Sequence, residues 1–279
     1  MPGLDEFQLV TRRRSHIRRQ FVNHILNRAL NPREPEINTE HLLREILEAV
    51  IALRNSPYRQ ILYNGLAESL SLLEVTAIPE IVCYGLGNFS ESRSAKYQLA
   101  ALLTIKSRYK SRVHLYDPAF FAKEIEVLKT LGLSMIEINE EGKRKVDNNL
   151  TLFYMPHCFQ GIIANCIHAN WGRELNNCIL VTNSFREIND GIVADAGLRD
   201  SVELIKRVIP CVTEFKLEAN FDSAREAFNS TSIHVFPNEK LDRVTQEFWE
   251  NIGNPPFVQE DFERELNRLR ANFPLAEIQ

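Results

Sequence analysis

Between residues 77 and 236, short apolar runs of β-type composition alternate with stretches whose apolar residues recur at every third and fourth position. Parallel strands cannot be joined by a tight turn, so this alternation constrains the chain to a parallel sheet wrapped by crossover helices. The runs at 81–84, 113–116, 134–138, 150–155 and 178–182 predict five such strands. Helices are predicted over 92–109, 120–131, 161–174 and 201–208, the second of them ending at Gly132, which suits a helix cap. Two later runs, 211–217 and 232–236, flank a polar segment and read as a paired excursion. Together these elements predict an α/β fold: a three-layer Rossmann-like sheet of the methyltransferase type, mostly parallel with a C-terminal strand pair, rather than the dinucleotide dehydrogenase arrangement.

Helical patterns flank this region on both sides. Over 38–53, Leu42, Leu43, Ile46, Leu47, Val50 and Ile51 follow helical spacing, with Thr39 and Glu40 available to cap the start. A second stretch, 57–75, carries Ile61, Leu62, Leu66, Leu70, Leu72 and Leu73. Past Pro237 the segments 241–252 and 260–272 read as helices around the turn Gly253-Asn254-Pro255-Pro256. Neither C-terminal segment has a core of its own. The expected organisation is a helical extension over 1–76, a Rossmann-like domain over 77–237, and C-terminal helices over 238–279 packing on the sheet.

Composition narrows the class. A chain of 279 residues, 44% hydrophobic and 25% charged, has room for one full α/β domain with helical additions and the make-up of a globular protein. No apolar run approaches the roughly 18 residues that a membrane helix needs. The net charge of −4 gives no general affinity for nucleic acid or acidic membranes. Segment 1–9 lacks the apolar core and cleavage site of a signal peptide. Cys83, Cys158, Cys166, Cys178 and Cys211 are scattered without a Cys-x-x-Cys pair, which argues against a zinc ribbon or a disulfide scaffold and for reduced thiols in a cytoplasmic or nuclear protein. One segment departs from the mean: Arg12, Arg13, Arg14, Arg18 and Arg19 crowd around His16, a pattern shared by nuclear-import or nucleic-acid patches and by solvated helix faces.

In an open parallel sheet the ligand lies beyond the carboxyl ends of the strands. Here the first strand stops at Gly85-Leu86-Gly87-Asn88-Phe89-Ser90 and leads into a helix. A glycine at 85 lets the chain turn, one at 87 lets a ligand approach backbone, and the helix start offers N–H groups. The third fingerprint position is Ser90 rather than glycine, so the motif alone is weak. The other strand ends are polar as well: Asp117, then Asn139-Glu140-Glu141, then His157-Cys158, then Asn183-Ser184. Their convergence is the argument for a site. Asp117 falls about 32 residues after Gly85, later than the roughly 20 of a dinucleotide motif, yet a carboxylate there can accept both ribose hydroxyls of an adenosine. The same Asp-Pro pair also serves as a plain strand terminator. Glu140 and Glu141, beside Lys143, Arg144 and Lys145, read as a solvated loop; as a metal or acid/base pair they lack further ligands, and no metal site is expected. Cys158 precedes a helix start and neighbours an imidazole, which would favour thiolate, but adjacent strand residues point opposite ways, and a buried cysteine beside a backbone-bonded histidine is the expected arrangement rather than a catalytic pair. His168 and Trp171 read as packing groups, and neither a Gly-x-Ser-x-Gly elbow nor a His-Glu-x-x-His helix is present.

Taken together, Cys-Tyr-Gly-Leu-Gly-Asn-Phe-Ser at 83–90, Ala-Lys-Tyr-Gln-Leu-Ala at 95–100, Tyr-Asp-Pro-Ala-Phe at 116–120, Asn-Glu-Glu-Gly-Lys-Arg at 139–144, Phe-Tyr-Met-Pro-His-Cys at 153–158 and Asn-Ser-Phe at 183–185 resemble the SRR (Sensitivity to Red Light Reduced) family. The resemblance covers 78–236, in family order, with His234 in the closing Ile-His-Val-Phe; the helical ends lie outside it. It implies a regulatory protein acting through protein partners, with roles in circadian regulation and, in animal members, in control of heme biosynthesis and clock gene expression; fungal relatives are linked to microtubule function. It brings no biochemical activity. Three readings follow: a regulator whose Rossmann-like domain binds an adenosine-containing ligand or has kept only the fold; an S-adenosylmethionine-dependent methyltransferase-like enzyme, with Gly85, Gly87 and Asp117 on the cofactor and Asn183 or His157 facing substrate; and a heme-binding regulator using His157 or Cys158. A heme-regulatory Cys-Pro dipeptide is absent, and Pro210-Cys211 has the reverse order.

Overall fold

A computed structural model describes residues 35–191, 199–217, 226–250 and 252–254. The arginine cluster at 12–19 and the expected helix at 260–272 lie outside the described residues. In order the elements are α1 (Thr39–Arg54), α2 (Pro57–Leu72), β1 (Glu80–Tyr84), α3 (Arg93–Tyr109), β2 (Arg112–Tyr116), α4 (Ala122–Thr130), β3 (Ser134–Met135), β4 (Thr151–Met155), α5 (Gln160–Ala169), β5 (Cys178–Asn183), α6 (Phe185–Asp190), α7 (Arg199–Val208), β6 (Thr213–Lys216), β7 (Thr231–Val235), α8 (Asn238–Leu241) and α9 (Gln246–Trp249). The strands form one sheet in the order β3-β2-β1-β4-β5-β7-β6. Pairing is parallel from β3 to β5 and antiparallel on both sides of β7. This is the mostly parallel sheet with a closing strand pair expected from the alternation of patterns.

Both faces of the sheet are buried, so its central strands carry no polar alternation. Ile81, Cys83, Val113, Leu115, Leu152, Tyr154, Ile179, Val181, Ile233 and Val235 face one core. Val82, Tyr84, Phe153, Met155, Cys178 and Leu180 face the other. The first core is closed by α1, α2, α3 and α4, the second by α5, α6 and α7. Helix α1 lies on α3, joined by a Lys96–Glu45 ion pair of 2.9 Å. Helix α2 sits against β7 because Gly65 has no side chain there: a Cβ would come within 2.8 Å of Ile233 Cδ1. Tyr58 of α2 stacks on Phe228 at 4.2 Å. The N-terminal helices and the sheet thus share one apolar core.

Several boundaries differ from the periodicity. Strand β3 spans two residues rather than five, because it is an edge strand with a single neighbour and leaves the ladder after the Ile136 N–H bonds Leu115 C=O at 2.8 Å. From there to β4 no helix forms. The crossover is a strap, 136–150, held to α5 by side chains: Asn165 donates to Glu141 C=O at 2.9 Å, Asn170 donates to Arg144 C=O at 3.0 Å, and Asn170 accepts the Val146 N–H at 2.7 Å. Helix α5 stops at Ala169, not 174, where the Asn170 amide bonds Cys166 C=O and Gly172 takes a φ of +114°. In place of one helix over 241–252 the chain makes two single turns, Asn238–Leu241 and Gln246–Trp249, the second clamped by Trp171 Nε1 to Trp249 C=O at 3.0 Å and by Arg207 to Glu250 C=O at 2.8 Å. Helix α6 has no counterpart in the sequence reading; the Ser184 hydroxyl caps it. No helix among the described residues is long and apolar enough to cross a membrane.

Candidate functional site at the carboxyl edge of the sheet

The chain leaves β1 through Gly85, whose φ is +69°, and Gly87, whose φ is +78°. The two glycines do different work. A Cβ on Gly85 would stand 2.9 Å from Cys158 Sγ, so the protein itself fills that space. A Cβ on Gly87 would meet nothing nearer than Ala95 Cβ at 3.9 Å, which leaves its face open to an incoming group.

Asp117, at the end of β2, reaches into this turn. Its Oδ2 accepts the Gly87 N–H at 2.7 Å and its Oδ1 accepts the Ala119 N–H at 2.7 Å. A carboxylate inside the turn reverses the electrostatics expected of a phosphate cradle, since an anion would face a fixed negative charge. The buried thiols register that charge: burial and then Asp117 push Cys158 up to about 12, and burial with Asp117 raises Cys83 as well.

The rest of the turn is locked from below by a residue that sequence reasoning missed. Glu124 is fully buried and takes four donors: the Ser90 N–H at 2.7 Å, the Ser90 hydroxyl at 2.8 Å, the Phe121 N–H at 2.9 Å and Asn88 Nδ2 at 3.0 Å. As the third residue of α4 it reaches back to the N-cap N–H, as a glutamate at that position commonly does. Only that position hinted at a role, and nothing in the spacing tied it to Ser90. Asn88 is buried too. Its amide donates to Ala119 C=O as well as to Glu124, while its Oδ1 has no partner. Phe89 faces the core, edge-on to Phe120 at 6.0 Å, and presents nothing to a ligand.

His157 and Cys158 follow β4 at the same edge. His157 sits at a φ of +56° with both ring nitrogens engaged, Nδ1 with Gln98 Nε2 at 3.3 Å and Nε2 with Asn229 C=O at 2.8 Å. The Gln98 amide donates, so Nδ1 accepts and Nε2 carries the proton. Burial lowers the His157 pKa, partly opposed by the Asn229 carbonyl, and the ring is neutral near pH 7. With Cys158 raised and His157 saturated, the two do not form a thiolate–imidazolium pair. Asn183 adjoins them, donating to Cys158 C=O at 3.3 Å. Asn183 Oδ1 has no partner, nor do Thr231 Oγ1 and Ser232 Oγ at the facing end of β7.

Three predicted residues, Ser184, Asn139 and Glu140, have partners of their own. Ser184 donates to Glu214 at 2.6 Å and caps α6. Asn139 closes a local turn by accepting the Glu141 N–H at 2.9 Å. Glu140 accepts from the Tyr84 hydroxyl and forms a two-point pair with Arg144, which also reaches Glu80 at 3.2 Å. Burial raises the Glu140 pKa, but the Arg144 and Tyr84 hydrogen bonds outweigh it, and the carboxyl lies below its ordinary range. That network straps the crossover to the sheet face and is structural. Among the described residues no cluster of three or more His, Cys, Asp or Glu is arranged to hold a metal ion.

Beneath Ser184, fully buried His234 stacks on Phe185 at 3.8 Å, accepts the Phe185 N–H at 3.3 Å and bonds Leu180 C=O at 3.3 Å. Burial lowers its pKa to about 4, opposed in part by Glu214 and the Leu180 carbonyl. The unfolded chain takes up this proton near pH 6.5, the folded chain only near pH 4, so stability falls as pH drops through that window. Acid titration of the unfolding free energy will show a slope of up to about 1.4 kcal/mol per pH unit from this group, flattened in His234→Gln. An unchanged slope in the variant would refute the assignment.

The comparisons with known proteins agree with one another. The profile of the SRR1 domain family matches residues 43–235. An SRR1-like protein of Drosophila melanogaster is 30% identical over 230 residues, covering 81% of this chain and 80% of that protein. An SRR1-like protein of Mus musculus is 38% identical over 117 residues, 40% of this chain and 47% of the relative, so there the match spans about half the length. The Protein SENSITIVITY TO RED LIGHT REDUCED 1 of Arabidopsis thaliana is 29% identical over 161 residues, covering 56% of this chain and 58% of that protein. Among solved structures, the plantazolicin methyltransferase BpumL is 10% identical with a TM-score of 0.32, over 72% of this chain and all of that one. The fold assignment rests on the strand order rather than on that last likeness. With the profile spanning most of the chain and the Drosophila relative aligned over four fifths of its own length, this chain belongs to the SRR1 domain family.

Proposed function

We propose that this chain is a regulatory protein whose sheet binds an adenosine-containing ligand at its carboxyl edge, with Gly85, Gly87, Asn88 and Asp117 around the nucleoside and His157, Cys158 and Asn183 bordering it. The observation that carries this reading is the Asp117 carboxylate seated on the Gly87 N–H, beside an open glycine face. A pyrophosphate would be repelled there, whereas ribose hydroxyls are donors that a carboxylate accepts. The ligand class is therefore a nucleoside such as S-adenosylmethionine rather than a dinucleotide. The circadian and heme-biosynthesis roles implied by the family resemblance would be exercised through protein partners in the cytoplasm or nucleus, with ligand occupancy as the regulated state.

A second reading, methyl transfer from S-adenosylmethionine, is favoured by the strand order, in which an antiparallel β7 lies between β5 and β6. Against it, His157 has no free nitrogen and Cys158 is held as a thiol, so neither is poised as base or nucleophile. The same two facts give a heme iron no open axial ligand from this pair.

Titration calorimetry with S-adenosylmethionine, S-adenosylhomocysteine and NAD tests the reading. The two adenosyl amino acids should bind and NAD should bind at least tenfold more weakly. Asp117→Ala should lose about 1.5–3 kcal/mol of binding, the range for a hydrogen bond to a charged group. Absence of binding by both adenosyl compounds, or tighter binding of NAD, would sink it.

A further inference from the structure

The stretch 92–116 contains Arg93, Lys96, Lys106, Arg108, Lys110 and Arg112 and no aspartate or glutamate, in a chain whose net charge is −4. Four of these cations fall between Lys106 and Arg112, where α3 ends and β2 begins. That is the amino edge of the sheet, opposite the candidate site. The fold holds the run in place. Lys110 caps α3 in the left-handed conformation with its N–H on Lys106 C=O, the Ser111 hydroxyl donates to Ile78 C=O at 2.5 Å, and the Arg112 N–H donates to Pro79 C=O at 2.9 Å. Arg108, Lys110 and Arg112 are exposed. Arg108 lies over the Tyr63 ring at 5.4 Å, and Lys106 Nζ lies beside Gly132 at the end of α4, whose last turn adds exposed Lys129.

No carboxylate neutralises this edge. Among the described residues none of Lys106, Arg108, Lys110, Arg112 and Lys129 forms an ion pair. Glu80, beside Arg112 across the ladder, is committed to Arg144 at 3.2 Å, and Glu126 of α4 to Lys123 at 2.8 Å. Glu74, on the loop before Ile78, is a single exposed acid against them. The negative end of α3 gives Lys106 and Arg108 a structural reason, since both stand in its last turn, but Lys110 and Arg112 lie past that turn. The exposed chemistry selects the partner. Protein interfaces centre on buried aromatic or apolar anchors and are depleted in lysine. Between Lys106 and Arg112 the exposed groups are cationic or, at Ser107, a hydroxyl, and Tyr109 is half-buried. Whatever docks there is held by charge, and a phosphodiester backbone supplies repeated charge and acceptors for these donors.

We propose that the run from Lys106 to Arg112 is a docking surface for nucleic acid, bound through its phosphates and without base readout. It lies at the other edge of the sheet from the nucleoside site and does not depend on that reading. Because the molecule as a whole is negative, the attraction is local, and binding should be steeply salt-dependent.

Fluorescence anisotropy of the full chain with a labelled single-stranded RNA of about 16 nucleotides tests this. Each phosphate contact contributes about 0.7 to the slope of log affinity against log salt on a single strand. In Lys110→Gln/Arg112→Gln the slope should therefore shrink by about 1.4, and affinity at about 50 mM salt should fall at least tenfold, with circular dichroism confirming the fold. The control, Lys123→Gln/Arg243→Gln, makes the same change in net charge at ion pairs elsewhere and should leave affinity within about twofold. The arginines at 12–19 are present in every protein, so the difference between the variants decides. No binding to RNA, binding unchanged in Lys110→Gln/Arg112→Gln, or an equal loss in the control would overturn the assignment. So would tighter binding of phosphatidylserine vesicles or of a polyglutamate peptide that is lost in the same variant, which would make this edge a membrane or acidic-protein surface instead.

Discussion

Replacing Glu124 by alanine is expected to destabilise the protein by about 3–5 kcal/mol, a fall in melting temperature on the order of 10 °C for a domain of this size. The reason is the number of groups that one carboxylate satisfies. Its loss removes the acceptor of the buried Phe121 N–H and of the partly buried Ser90 N–H and hydroxyl, and takes from Asn88 Nδ2 one of its two acceptors. Each unpaired buried donor costs about 1–3 kcal/mol. Glu124→Gln should lie between, because an amide keeps one acceptor but turns an N–H towards groups that are themselves donors. Urea unfolding of the three proteins would settle the order. A loss below about 1 kcal/mol for the alanine variant would mean that the turn finds other partners and that Glu124 does not hold it. Since the same carboxylate aligns Ser90 and Asn88, adenosyl binding should weaken in parallel, at temperatures where the variant is still folded.

Gly142→Ala should be of similar size, from another cause. Gly142 has a φ of +78°, which an L-residue enters at roughly 1–2 kcal/mol. A Cβ there would stand 2.5 Å from the Ile162 carbonyl oxygen and 3.3 Å from its carbon. That carbonyl belongs to the first turn of α5 and cannot swing aside as a side-chain tip could. Overpacking of this kind adds about 1–3 kcal/mol, for a total near 3 or 4. Gly132→Ala is the control. Its φ is +70°, but its Cβ would meet only the Lys106 ammonium at 3.6 Å, so the backbone strain of roughly 1 kcal/mol should act alone. Hydrogen exchange should place the Gly142 effect in the strap, with faster exchange at the Glu141, Lys143 and Val146 amides. Equal losses in the two variants would show that contact with Ile162 contributes nothing.

Both expectations concern parts of the fold that the sequence pattern does not display. The pattern did display the sheet. β1, β4 and β5 are short, largely apolar runs because strands buried on both faces favour apolar residues, while β2 alternates, with Val113 and Leu115 buried and Arg112 exposed. The helices α1 to α4 have the three-and-four spacing of elements buried on one side. The paired excursion of β6 and β7 and the glycine turn after β1 were legible on the same grounds, with Gly85 and Gly87 both at positive φ. What escaped was set by contacts distant in sequence. β3 is shorter than its apolar run because it has one neighbour, and the Ser184 hydroxyl at the start of α6 donates to Glu214, 30 residues on.

The candidate site divides along the same line. The sequence by itself determined which residues arrive at the carboxyl edge, since strand ends follow from periodicity and polarity: Gly85, Gly87, Asn88, Asp117, His157, Cys158 and Asn183 all stand there. Only the tertiary structure decided what each is free to do. It seats Asp117 in the turn and so replaces the positive cradle of a helix start with a fixed negative charge. It occupies both nitrogens of His157, keeps Cys158 protonated, and commits Glu140 to Tyr84 and Arg144. It leaves Asn88 Oδ1 unpaired. Hydrogen bonds and charges act over a few ångströms between residues some 30 to 70 positions apart, and no local pattern encodes those partners. Apolar burial needs only the right kind of residue on the right face, which periodicity records.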